Sequence, residues 1–143
     1  MIPVNYLAVL GVAVVGFVFG ALWHGPLFGK MWMRLSGISD AEAKTMKEKG
    51  MPNMGRTFFL SFVAQFLTSV VITYALIFTS AYLSISPVSA GLMAAFWTWL
   101  GFVVPTSLNS VLWEKRTWSL WCFNSTYYLV LFFIMGVLLG LWA

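Results

Sequence analysis

Three stretches of this chain carry no charged residue: Met1 to Gly29, Thr57 to Trp113, and Thr117 to Ala143. A helix crosses a bilayer core with about 20 apolar residues. It pairs its own backbone groups as it does so, which an irregular segment in lipid cannot. The outer two stretches therefore hold one span each and the middle one holds two. Charged residues make up only 8% of the chain and hydrophobic ones 61%, against about a quarter charged in a soluble domain. The net charge of +4 does not point to nucleic acid, because the basic residues sit only between apolar runs and not across a folded face.

The fold class expected is an all-α integral membrane protein, a four-transmembrane-helix bundle forming one domain over residues 1–143. Its spans fall at about 4–24, 55–82, 89–113 and 118–142, with charged loops at 25–54 and 114–117. Gly25-Pro26 ends the first span, since the residue before a proline resists the α conformation. In the segment 26–35, Leu27, Phe28, Met31, Trp32 and Leu35 recur at helical spacing while Lys30 and Arg34 share another side, the pattern of a short amphipathic interfacial helix. Ser39 and Glu42 form a capping box for a short polar helix over 40–49, with Gly50 closing it. Six Lys or Arg residues lie between the first two apolar runs (Lys30, Arg34, Lys44, Lys47, Lys49 and Arg56), two (Lys115, Arg116) in the third loop, and none elsewhere. The positive-inside rule then puts both charged loops in the cytoplasm and both termini outside. Trp23, Trp32, Trp113, Trp118 and Trp121 belong to an aromatic belt at that face, while Trp97 and Trp99 lie deeper and need packing partners. The first run ends in no small-residue cleavage site, so it is expected to stay as a span and not leave as a signal peptide.

Small and polar residues inside the spans are the candidates for function. Gly16-x-x-x-Gly20 and Gly136-x-x-x-Gly140 are helix-packing patterns, open to use within the bundle or between copies. Pro105 removes the hydrogen bond to the Gly101 carbonyl and should kink the third span. His24, Ser61, Gln65, Thr106, Asn109, Ser110, Asn124 and Ser125 all concentrate in the charged half. A polar pocket open to the cytoplasm, bordered by Gln65, Asn109 and Asn124, is the expectation. The alternative is that these groups bond one another as ordinary interhelix glue, worth about 0.6 kcal/mol each.

No Asp, Glu, Lys or Arg lies deep in a span, which disfavours an ion-coupled pump. Neither a metal site nor an acid–base pair is visible, because the only acids are Asp40, Glu42, Glu48 and Glu114; no metal and no cofactor is expected. Cys122, the single cysteine, reads as a buried packing residue. His24, the single histidine, reads as an interfacial side chain bonding a loop carbonyl. Asn124-Ser-Thr126 matches a glycosylation sequon but lies in a span.

Asn5-Tyr-Leu-Ala-Val-Leu10, then Gly20-Ala-Leu-Trp-His-Gly-Pro-Leu-Phe-Gly-Lys-Met-Trp-Met33, then Gly101-Phe with Trp113-Glu114, resemble the bacterial membrane proteins grouped as domain of unknown function 1761. The resemblance runs over nearly the whole chain and is densest in the Trp-x-Gly-Pro-Leu-Phe-Gly-Lys-x-Trp segment. It implies four helices and a bacterial origin, and no activity, substrate or cofactor. The function expected is a bacterial inner-membrane protein that binds or passes a small solute through its polar pocket, with lipid as its surroundings. A homo-oligomer is expected because four short helices enclose little volume. The alternative is an accessory or scaffold protein whose glycine faces dock a larger membrane partner.

Overall fold

A computed structural model describes residues 4–49 and 54–142. Its helices are α1 (Tyr6–Leu22), α2 (Gly29–Leu35), α3 (Asp40–Lys49), α4 (Met54–Leu83), α5 (Pro87–Thr98), α6 (Val104–Leu112) and α7 (Trp118–Trp142). π-helical turns at Trp23–Leu27 and Trp99–Val103 follow α1 and join α5 to α6. Four helical segments are long and apolar enough to cross a membrane: Tyr6–Leu27, Met54–Leu83, Pro87–Leu112 and Trp118–Trp142.

Local chemistry sets the ends. Asn5 caps α1 by accepting from the Ala8 N–H at 3.2 Å. Ser86 caps α5, accepting from the Ser89 N–H at 3.3 Å, and Pro87 takes a first-turn position where its missing N–H costs nothing. Between α4 and α5 the chain reverses through Ser84 at φ 54°, and Ser80 Oγ donates to the Ile85 carbonyl at 2.8 Å. Ser39 Oγ accepts from the Glu42 N–H at 3.2 Å at the start of α3; Gly50, expected to close that helix, lies outside the described residues. The first span departs from helical geometry at Gly25 (φ −117°, ψ −106°), one residue before Pro26, as proline's steric demand requires.

In cross-section α1 and α5 each pack against α4 and α7, and α4 also touches α7, so α1 and α5 stand at opposite corners. The tightest packing lies in the half of the bundle farthest from the charges. There Val9, Val12, Ile72, Leu131 and Met135 are fully buried, along with Ser69, whose hydroxyl donates to the Val9 carbonyl at 3.0 Å. In lipid, helices gain little from hiding apolar surface from one another. Close van der Waals contact between small residues replaces that force. Ala90, Gly91, Ala94 and Ala95 of α5 are all buried, and the Gly91 and Gly136 backbones touch so closely that a Cβ on either would strike the other's carbonyl. Gly140 lies against Pro87 and Val88 in the same way.

Helix α2 folds back from the Gly25 break and rests on α7. Trp23 is the hinge pin of this corner: its ring lies 4.5 Å from Phe28 and 5.8 Å from Phe123.

Candidate functional site

At the charged end a cleft of about 460 Å³ opens between the α2 segment, the end of α6, the following loop and the first turns of α7. Trp32, Ile38 and Leu120 give it apolar walls, while Ser36, Ser110, Glu114, Arg116 and Asn124 supply polar groups. Each has a local reason to be there. Trp32 is turned inward by edge-on contact with the His24 ring at 5.5 Å. Ser110 spends its own proton on the Ser107 carbonyl at 2.8 Å, which leaves the oxygen lone pairs as acceptors. Glu114 and Arg116 flank Lys115, whose positive φ of 58° makes a tight turn, and the Arg116 N–H is anchored to the Ser110 carbonyl at 3.0 Å. Among the described residues no ion pair joins Glu114 to Arg116. The cleft therefore holds one anion and one cation, unpaired with each other, above a half-buried amide.

Beneath it runs a second polar feature, buried and narrow. Gly16, Gly20 and His24 share one face of the first span, and side chains from two other helices fill it: Gln65 Oε1 lies beside Gly16, and the Tyr127 hydroxyl beside Gly20. His24 Nδ1 lies 3.0 Å from the Gly20 carbonyl. A carbonyl only accepts, so Nδ1 is the donor in this contact. The His24 ring is edge-on to Tyr127 at 4.7 Å, and Tyr127 stacks on Phe19 at 5.7 Å. Trp23 Nε1, Gln65 Oε1 and Ser125 Oγ are buried with no hydrogen-bond partner within the described chain.

The eight residues expected to line one pocket are thus distributed among several places. Ser110 and Asn124 border the cleft. Gln65 belongs to the seam beside Gly16, and His24 to the aromatic corner. Ser125 is buried, its carbonyl accepting the indole N–H of Trp99, the first residue of the π-turn after α5, at 2.8 Å. Ser61, Thr106 and Asn109 are exposed on helix surfaces instead, with the Thr106 hydroxyl returned to the Phe102 carbonyl of its own helix. The π-helical turn Trp99–Val103 contains Gly101 and ends two residues before Pro105, so the expected kink lies at a π-turn just upstream of the proline.

Two further expectations are corrected. Cys122 is exposed on α7 and not buried. Trp97, expected to need packing partners, is 60% exposed and meets Phe96 edge-on, whereas Trp99 does find one in Ser125. Tyr127, Trp32 and Arg116 also contribute. Trp32 and Arg116 were legible only as belt and loop residues, and Tyr127 only as one aromatic among many. Among the described residues no group of three or more His, Cys, Asp or Glu could hold a metal ion.

The fold and cleft define a class: a helical protein with four segments of membrane-spanning length and a polar cleft at its one charged end. Residues 7–140 match the family described as "Protein of unknown function (DUF1761)", and the chain belongs to that family. Comparison with curated proteins and with solved structures found no match.

Proposed function

We propose that this protein lies in the bacterial cytoplasmic membrane with both termini outside, and that it binds a small zwitterionic solute from the cytoplasm in the cleft at its charged end. The observation that carries this reading is the pairing of unbridged Glu114 and Arg116 on one cleft of about 460 Å³, within the usual ~300–1,000 Å³ of small-molecule sites. A solute with an ammonium and a carboxylate would satisfy both charges, with Asn124 and Ser110 as orienting groups and Trp32 as an apolar wall. The orientation rests on all eight basic residues lying in or at the edge of the first and third loops. Placing α2 in the interface rests on its apolar and basic sides and its exposed Met31 and Phe28.

Binding is better supported than open passage. The opposite half is closed by the Gly91–Gly136 contact and by Leu131 and Met135, so transport would require α5 and α7 to part there. One chain forms the cleft alone, so a homo-oligomer is not needed to enclose it. The glycine faces are filled within the chain, which gives an accessory role through those faces no support.

The test is calorimetry on protein in nanodiscs against free amino acids, dicarboxylates and diamines. Zwitterions should bind in preference to the other two classes. Asn124→Leu and Arg116→Gln should abolish that binding and Asn109→Leu should leave it intact. Equal binding to the Asn124→Leu protein would refute the assignment.

A further inference from the structure

A second groove, of about 590 Å³, lies on the other side of α2, between that helix and α7. Its α2 wall carries Met31, Arg34 and Leu35, and its α7 wall carries Trp118, Cys122 and Thr126. The α7 residues follow at steps of four, so the groove tracks that helix for two turns, about 12 Å. This is most of the ~15 Å thickness of one leaflet's hydrocarbon. Its deeper part is apolar in effect. The Thr126 hydroxyl is spent on the Cys122 carbonyl at 2.8 Å, and a thiol behaves as a small hydrophobe. It is cationic on the α2 side: Arg34 lines it, and Lys30 stands one turn earlier on α2. No ion pair neutralises Arg34 among the described residues.

An apolar channel along the membrane normal with a cation at its headgroup end is complementary to one kind of molecule. We infer that this groove binds an anionic phospholipid of the cytoplasmic leaflet, its phosphate at Arg34 and an acyl chain along Cys122 and Thr126. The inference rests on the membrane placement proposed above and is independent of the solute cleft. A basic residue near an anionic lipid surface changes affinity by about fivefold, and this sets the size of the expected effect.

The experiment is native mass spectrometry of the full chain in detergent with dioleoyl phosphatidylglycerol or dioleoyl phosphatidylcholine added. The wild-type chain should retain the glycerol lipid about fivefold better than the choline lipid. Arg34→Gln should bring that ratio near one, and Arg34→Lys should restore part of it. Cys122→Trp, which fills the groove from an exposed position, should lower retention of both lipids while circular dichroism shows the helices intact. A wild-type ratio near one, an unchanged ratio in Arg34→Gln, or a dimer that Cys122→Trp dissolves would overturn the inference, the last assigning the groove to a second copy. Loss of the zwitterion binding with the lipid ratio retained would refute the solute site alone.

Discussion

Replacing Gly136 by alanine adds one methyl group to the closest helix crossing in the protein. The new Cβ would lie 2.8 Å from the Gly91 carbonyl carbon and 3.3 Å from the Ala95 Cβ, with the Gly91 oxygen nearer still. Carbon atoms prefer about 3.5–4.0 Å, and the obstacle is backbone, with no rotamer through which to escape. Helices α5 and α7 must therefore separate by roughly 0.7 Å or more. A gap of that size forfeits a quarter to a half of each contact's attraction, itself about 0.1–0.2 kcal/mol. Over roughly 40 atom pairs, about what one buried leucine makes, the loss is about 2 kcal/mol, inside the usual ~1–3 kcal/mol range for overpacking. The matching control is Gly55→Ala, where a Cβ meets nothing within 4 Å and the lower entropy of the unfolded chain should stabilise by about 0.4–1 kcal/mol. Reversible unfolding in mixed micelles with rising sodium dodecyl sulfate, followed by circular dichroism, measures both. The two substitutions should have opposite signs. A Gly136→Ala protein as stable as the wild type, or more so, would show that the glycine faces lipid and would refute the crossing.

The same assay ranks the other glycines. Gly140→Ala meets the Val88 and Pro87 backbone and should cost about as much as Gly136→Ala, whereas Gly16→Ala meets side-chain ends alone, those of Met135, Gln65 and Leu131, and should cost less than about 1 kcal/mol. Ser86→Ala removes the cap of α5 and should destabilise by about 1 kcal/mol; no change would show the helix start is held by other means. Trp99→Phe deletes the indole bond to Ser125 and should cost about 0.6–1 kcal/mol, seen as a lower unfolding midpoint. His24→Phe should be tolerated better than His24→Ala, because aromatic contacts with Trp32 and Tyr127 contribute about 0.5–1.5 kcal/mol each beyond the single bond to Gly20; equal losses would assign the role to that bond. A reporter fused after Ala143 should be active only outside the cytoplasm, and cytoplasmic activity would reverse the proposed orientation.

Several features of the bundle were legible from residues close together in sequence. Ser39 announces a helix start, and Gly25-Pro26 a helix end, because capping and proline sterics act within a few residues, whereas Asn5 and Ser86 show themselves as caps only in the structure. The site was legible only in outline. Polar residues do gather at the charged end, and Asn124 and Ser110 do border a cleft there. Yet the cleft's charges come from loop residues Glu114 and Arg116, which look in sequence like ordinary solvated neighbours. Its apolar wall comes from Trp32, more than 70 residues before either, held by contact with His24. The aromatic and polar seam around Tyr127 likewise depends on three helices meeting.

What the sequence determined by itself was the number of helices of membrane-spanning length and the one end at which charge gathers. Those follow from composition along the chain, since each residue's transfer cost and each backbone hydrogen bond are settled locally. Only the tertiary structure decided which face each polar residue occupies. The third span is interrupted by a π-turn at Trp99–Val103, and beyond it Thr106 and Asn109 stand exposed. The two glycine motifs, equally apt in sequence for joining copies, are filled instead by Gln65, Tyr127 and α5 of the same chain, because an interhelix contact belongs to the pair of surfaces and neither surface alone encodes it.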